Sequence, residues 1–147
     1  MQTAEFLNRA RRRMRYGALS RAPLRLLRLE WKQETVECDW LMRESDPWDR
    51  FIPENLAEKL HSQQALRDAL SLRDMVFAAF SHVEQAQLRM FRNEVDQPLE
   101  LMMSGMVHRS NEILQRVPSV AMRAKLCGFE FSLTEGVLVT RNRVSCV

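Results

Sequence analysis

Apolar and polar residues alternate with period two over two neighbouring stretches near the start of the chain. Leu27, Leu29 and Trp31 alternate with Arg28 and Glu30, and Val36, Cys38, Trp40 and Met42 alternate with Glu37, Asp39 and Arg43. In an extended strand every second side chain falls on the same face, so the pattern predicts two strands. Only Lys32–Thr35 separates them, room for a hairpin loop and nothing more, and that loop lacks the Asn-Gly pair favoured in tight turns.

The period then changes. Ser45-Asp46-Pro47-Trp48-Asp49 has loop composition, and Pro53 suits a first helical position. From there to about Phe80 the spacing is helical, with Ser62 as the point where a break would fall. Leu66, Ala69, Leu70, Val76, Phe77 and Phe80 form the apolar face, and charged residues fill the other side. Residues 83–107 satisfy both periods. Their Gln, Leu, Met and Glu content favours helix, yet Ala86, Leu88 and Met90 alternate, as do Leu99, Leu101, Met103, Gly105 and Val107, around the loop-like stretch Asn93–Pro98. A second hairpin is the expectation, because one hairpin alone is marginal without further strands or a helix to cover it. If this region were helix instead, the chain would be mostly helical with two flanking hairpins.

Ser119 suits the cap of a short helix over 120–127, and Gly128 its stop. Phe129, Phe131 and Leu133 alternate towards a tight turn at Thr134-Glu135-Gly136, and Val137 and Val139 follow, which predicts a third hairpin. Near the other end, Phe6, Leu7, Ala10 and Met14 form one stripe of a helix over 4–16 that Gly17 would close. The order is helix, hairpin, helix, hairpin, helix, hairpin. The segment Leu70–Val76 resembles Val120–Leu126, as a duplicated strand-strand-helix unit would produce. The expected fold is α+β: antiparallel β-hairpins form a sheet with helices packed on one face, and the basic N-terminal helix is peripheral. Residues 1–23 are read as that helix and its connector, and 24–147 as a single α+β domain.

Charge adds an asymmetry to this picture. The first thirty residues hold Arg9, Arg11, Arg12, Arg13, Arg15, Arg21, Arg25 and Arg28 against Glu5 and Glu30, a formal +6, whereas the whole 147-residue chain is +3. The body is therefore weakly acidic, and the positive field belongs to one end. No run of 18 apolar residues spans a membrane, and no apolar core follows the basic start as in a secretory signal. Cys38, Cys127 and Cys146 are widely spaced with no CxxC pair, which fits free thiols in a reducing cytoplasm rather than a disulfide framework or a zinc site.

No motif names a reaction. The isolated glycines cannot cradle a phosphate, and GxSxG and HExxH are absent, so no catalytic residue, cofactor or metal site is expected. Absence of motifs leaves a convergent site open, one built from His82 or His108 with Asp39 or Asp46. On a strand His82 and Glu84 would point the same way, and His61 has no partner at metal spacing. The methionines Met90, Met102, Met103 and Met106 read as core filling. The first functional expectation is a non-catalytic protein–protein interaction domain or assembly subunit, cytoplasmic, working through the basic helix (Arg9, Arg11, Arg12, Arg13, Arg15) or the acidic tryptophan loop (Asp46, Trp48, Asp49). Its partner would be another protein or a second copy of the chain. The alternative of a nucleic-acid-binding regulator would use helix 120–127 and the hairpin after it as recognition helix and wing, with Arg123, Lys125, Arg141 and Arg143 nearby.

Overall fold

A computed structural model describes residues 25–43, 51–93, 96–109 and 116–140. The alternating stretches become β1 (Arg25–Lys32) and β2 (Thr35–Leu41), followed by α1 (Glu54–Ala79), β3 (Gln85–Arg92), β4 (Glu100–His108), α2 (Val120–Cys127) and the short strands β5 (Phe129–Glu130), β6 (Ser132–Thr134) and β7 (Val137–Val139). The fold is α+β. Its main sheet has five strands in the order β1-β2-β3-β4-β5, and β6 pairs with β7 in a second, two-stranded sheet. The expected basic helix at 4–16 lies outside the described residues.

Both predicted hairpins form. In residues 83–107 the strand pattern wins over helix propensity because β3 finds neighbours on both sides. β1–β2 and β3–β4 are antiparallel, while β2 and β3 run parallel, joined through α1. The sheet is therefore mixed, with a parallel seam between its two hairpins. The β1–β2 turn is made without glycine, and Gln33 takes a left-handed φ of 53°.

The register aligns the apolar positions into rows across one face: Trp31–Val36–Ala86–Val107, Leu29–Cys38–Leu88–Gly105 and Leu26–Trp40–Met90–Met103. α1 covers this face with Leu66, Ala69, Leu72, Met75, Val76 and Phe77, all buried in the common core. The helix runs unbroken past Ser62, which is itself buried and accepts a 2.9 Å hydrogen bond from the Leu138 backbone N–H of β7. Met90, Met102 and Met103 are core, as their sequence reading expected, whereas Met106 is exposed. Met102 is the extra residue at a register shift between Met90 and Phe91, so two consecutive methionines enter the core.

α2 matches its expected limits. Ser119 Oγ accepts from the Met122 N–H at 3.2 Å, and Gly128 ends the helix at a φ of 117°. The third hairpin divides, with β5 joining the main sheet and β6–β7 standing apart. Two glycines explain the division. A Cβ on Gly105 would lie 2.1 Å from the Gly128 carbonyl oxygen, and one on Gly128 would lie 2.5 Å from the Met106 oxygen. β5 can pair with β4 only because both positions lack a side chain.

Candidate functional site

β2, β3 and β4 bring their ends together at one corner of the sheet. Thr35 opens β2 opposite Gln85, and Gln85 opens β3 opposite His108, the last residue of β4. The β1–β2 turn adds Glu34, the segment leading into β3 adds His82 and Glu84, and Arg109 follows β4. These seven residues line a cleft of about 610 Å³. His82 and Glu84 do share a surroundings, as an extended reading of that segment predicts, although they precede β3 rather than belong to it.

The floor of the cleft is set by arginine bonding to backbone. Helix α1 ends beside it, and the last carbonyls of a helix have no intrahelical donor. Arg109 donates there and just beyond the helix: Nη1 to the Phe77 oxygen at 2.9 Å, Nη2 to that of the cap residue Phe80 at 2.7 Å, and Nε to that of Val83, in the segment after it, at 2.8 Å. In the reverse direction Arg73, on α1, donates through Nε to the His108 oxygen at 3.1 Å and through Nη2 to the Arg109 oxygen at 2.9 Å. Both guanidinium groups also lie over the Phe77 ring, at 5.4 Å and 5.0 Å from its centroid. The cation of the cleft is thus committed to structure. What it leaves for a ligand is two imidazoles, two carboxylates, an amide and a hydroxyl, all hydrogen-bonding groups. The His82 ring in turn packs 4.8 Å from that of Trp31, which is edge-on to Phe80 at 5.4 Å.

Asp39 stands elsewhere. It faces outward from β2, where Arg89 donates to it at 2.9 and 2.6 Å and Arg28 at 3.2 Å. Burial pushes its carboxyl upward, but the hydrogen bonds from Arg89 and Arg28 outweigh this and hold it below the ordinary carboxylate range. A histidine–Asp39 site is therefore not assembled. His61 is turned to the Arg43 carbonyl instead. The thiols do not join the cleft either: Cys38 and Cys127 are free and buried, and burial pushes the Cys38 thiol up to about 12, so it is a proton-bearing core residue rather than a nucleophile. Among the described residues no group of three His, Cys, Asp or Glu side chains is arranged to hold a metal ion.

The positions expected to bind partners, namely Arg9, Arg11, Arg12, Arg13, Arg15, Asp46, Trp48 and Asp49, lie outside the described residues. On α2, the candidate recognition helix, the exposed side chains include Met122 and Leu126, and Lys125 has its Nζ 5.3 Å from the Phe131 ring centroid. Arg141 and Arg143 lie outside the described residues. Sequence reasoning missed the joining of His82 to His108, which are 26 positions apart. Only the β3–β4 register unites them, and each histidine alone looked like a surface residue.

No protein-family model, curated protein or solved structure matches this chain. Among the described residues no helix is long and apolar enough to cross a membrane.

Proposed function

We propose that this chain is a non-catalytic interaction domain, a subunit that works by binding other protein surfaces. The observation that carries the reading is the arrangement of its exposed apolar side chains. Single exposed leucines are ordinary, but here they recur at contact spacing. Leu56 and Leu60 lie four residues apart on α1 with Phe51, 70% exposed, just ahead of them. Met122 and Leu126 repeat the spacing on α2, and Leu27 and Trp31 stand out on β1. Side chains four apart on a helix share a face, so each pair offers a patch rather than a point. The buried free thiols Cys38 and Cys127 suit a reducing compartment, which supports placing the domain in the cytoplasm.

Gel filtration of tagged full-length protein in lysate of its source cells, beside the purified protein, tests this. The expected result is that the cellular protein elutes in a larger complex, and that Leu56→Glu/Leu60→Glu or Met122→Glu/Leu126→Glu returns it to the position of the purified chain. Cellular and purified protein eluting together would overturn the reading.

A second reading, a convergent catalytic or polar-ligand site, is favoured by one observation: His82 and His108 share a cleft with Glu34 and Glu84. Imidazole NMR signals titrated with a panel of small polar metabolites decide it. Saturable shifts at both histidines, lost in His108→Ala, would support the site, and unmoved signals would remove it.

A further inference from the structure

We infer that the outward ridge of α2 is a docking site for an acidic peptide segment that carries apolar anchors at helical spacing. The inference rests on the interaction reading and gives one of its patches a partner of stated chemistry.

The ridge is set by what α2 buries. Ala124 and Cys127, three residues apart, face the body and are buried. Met122 and Leu126 lie on the other side of the helix and stand out at 52% and 49% exposed. The Ser119 cap holds one end of α2, and the close approach of Gly128 to the Met106 carbonyl fixes the other. The two apolar side chains are therefore offered by a firmly seated element, and the Met122 thioether can adapt to the shape it meets.

Charge flanks this ridge. Residues three apart on a helix are surface neighbours, so Lys125 lies beside Met122 and Arg123 beside Leu126, one cation on each side. From Arg116 to Gly128 the chain holds three cations, Arg116, Arg123 and Lys125, and no acid. Arginines elsewhere in the described fold meet carboxylates, as Arg28, Arg43, Arg89 and Arg92 do. Arg123 has no such partner among the described residues, and its Nε is buried without an acceptor. Buried polar groups in native folds are normally bonded, and a carboxylate brought to this guanidinium supplies the acceptor it lacks. Lys125 is exposed, with its Nζ 5.3 Å from the Phe131 ring centroid, which sets where its charge stands.

An apolar centre between two cations has a definite complement: a segment with large apolar side chains four residues apart and carboxylates on both flanks, laid along α2 as one helix packs on another. Nucleic acid is the poorer match. Phosphates would meet the cations, but Met122 and Leu126 offer no hydrogen-bonding group to base edges.

Fluorescence anisotropy on the purified full-length protein tests this, with a labelled synthetic helical peptide carrying leucines four residues apart flanked by aspartate and glutamate. Saturable binding is expected, and the amide NMR signals of residues 121–126 should shift with it. Met122→Gln/Leu126→Gln should weaken binding about tenfold, and Arg123→Gln/Lys125→Gln roughly fivefold, with unchanged melting temperatures. A control peptide with asparagine and glutamine for its acids should bind at least about fivefold more weakly, which tests charge without altering the protein. Unmoved signals on α2, or equal binding of the acidic and amide peptides, overturn the site. Binding of duplex DNA or phosphatidylserine vesicles at α2 without a response to the peptide assigns the cations to phosphate and overturns it too. A wild-type dimer that Met122→Gln/Leu126→Gln dissolves, with no response to the peptide, gives the ridge to a second copy and likewise overturns it. A chain that ignores the peptide yet enters a larger complex in lysate overturns this partner and leaves the interaction reading standing, whereas a chain alone in both settings overturns both.

Discussion

Asp39 and Asp68 are both held by arginine, and their environments drive them in opposite directions. Asp68 lies on α1 beneath Arg43. Arg43 Nε and Nη2 reach its two oxygens at 2.9 and 3.3 Å, Gln64 donates at 3.0 Å, and the two charged side chains are 1% and 4% exposed. Burial raises the Asp68 carboxyl above its ordinary value despite Arg43 beside it. Asp39 is shared between Arg28 and Arg89, which are 32% and 37% exposed, and it falls below its ordinary value. One guanidinium in a dry setting does not compensate a carboxylate for lost water, while two in a partly wet one do. The drier pair thus holds a carboxyl shifted against ionisation, and the outward cluster one shifted towards it.

The sharpest way to break this contrast is to remove Arg43. Arg43→Met leaves a buried carboxylate unpaired and is expected to lower unfolding free energy by about 3–5 kcal/mol in urea titration. Arg43→Met/Asp68→Leu should recover most of that loss, and a double variant as weak as the single would show that the pair itself stabilises. Next in size, Arg89→Met should lower stability by about 1–2 kcal/mol, because Arg28 remains to hold Asp39.

Acid titration separates the two carboxylates by sign. Asp39, and Glu37 held low by the Arg28 hydrogen bond, add stability above the ordinary carboxylate value of about 4 that is lost as pH falls through their lower folded values. Asp68 acts oppositely, and its contribution is lost as pH rises through its raised folded value. Melting temperature followed from pH 6 to pH 3 should therefore fall less steeply in Asp39→Asn than in wild type, and more steeply in Asp68→Asn. Equal slopes would remove the distinction. The smallest effect belongs to Lys32, 61% exposed and 3.4–3.5 Å from Glu30 and Glu37, where Lys32→Ala should change stability by less than about 0.5 kcal/mol.

Much of this fold is legible in the chain, because alternation and helical spacing report which side chains share a face. β1, β2 and the long helix follow from that alone, and α2 follows from Ser119 and Gly128. Three features are not legible, for one physical reason: each depends on contacts between positions far apart. The parallel seam between β2 and β3 is set by where α1 returns the chain. The split of the last strand depends on Gly105 meeting Gly128. Arg43 and Asp68 sit 25 positions apart with nothing local to announce a buried pair. The candidate cleft is illegible in the same way, since Thr35, Gln85 and His108 become neighbours only through register.

The reciprocal bonding of Arg73 and Arg109 has a consequence for cooperativity. Helix ends ordinarily fray, and strand ends open with little resistance. Here the end of α1 is held by a side chain beyond β4, and the end of β4 is held by a side chain on α1. Neither terminus can peel away without breaking bonds to the other, so the amide protons of the sheet corner and of the last helical turn are expected to exchange as one unit.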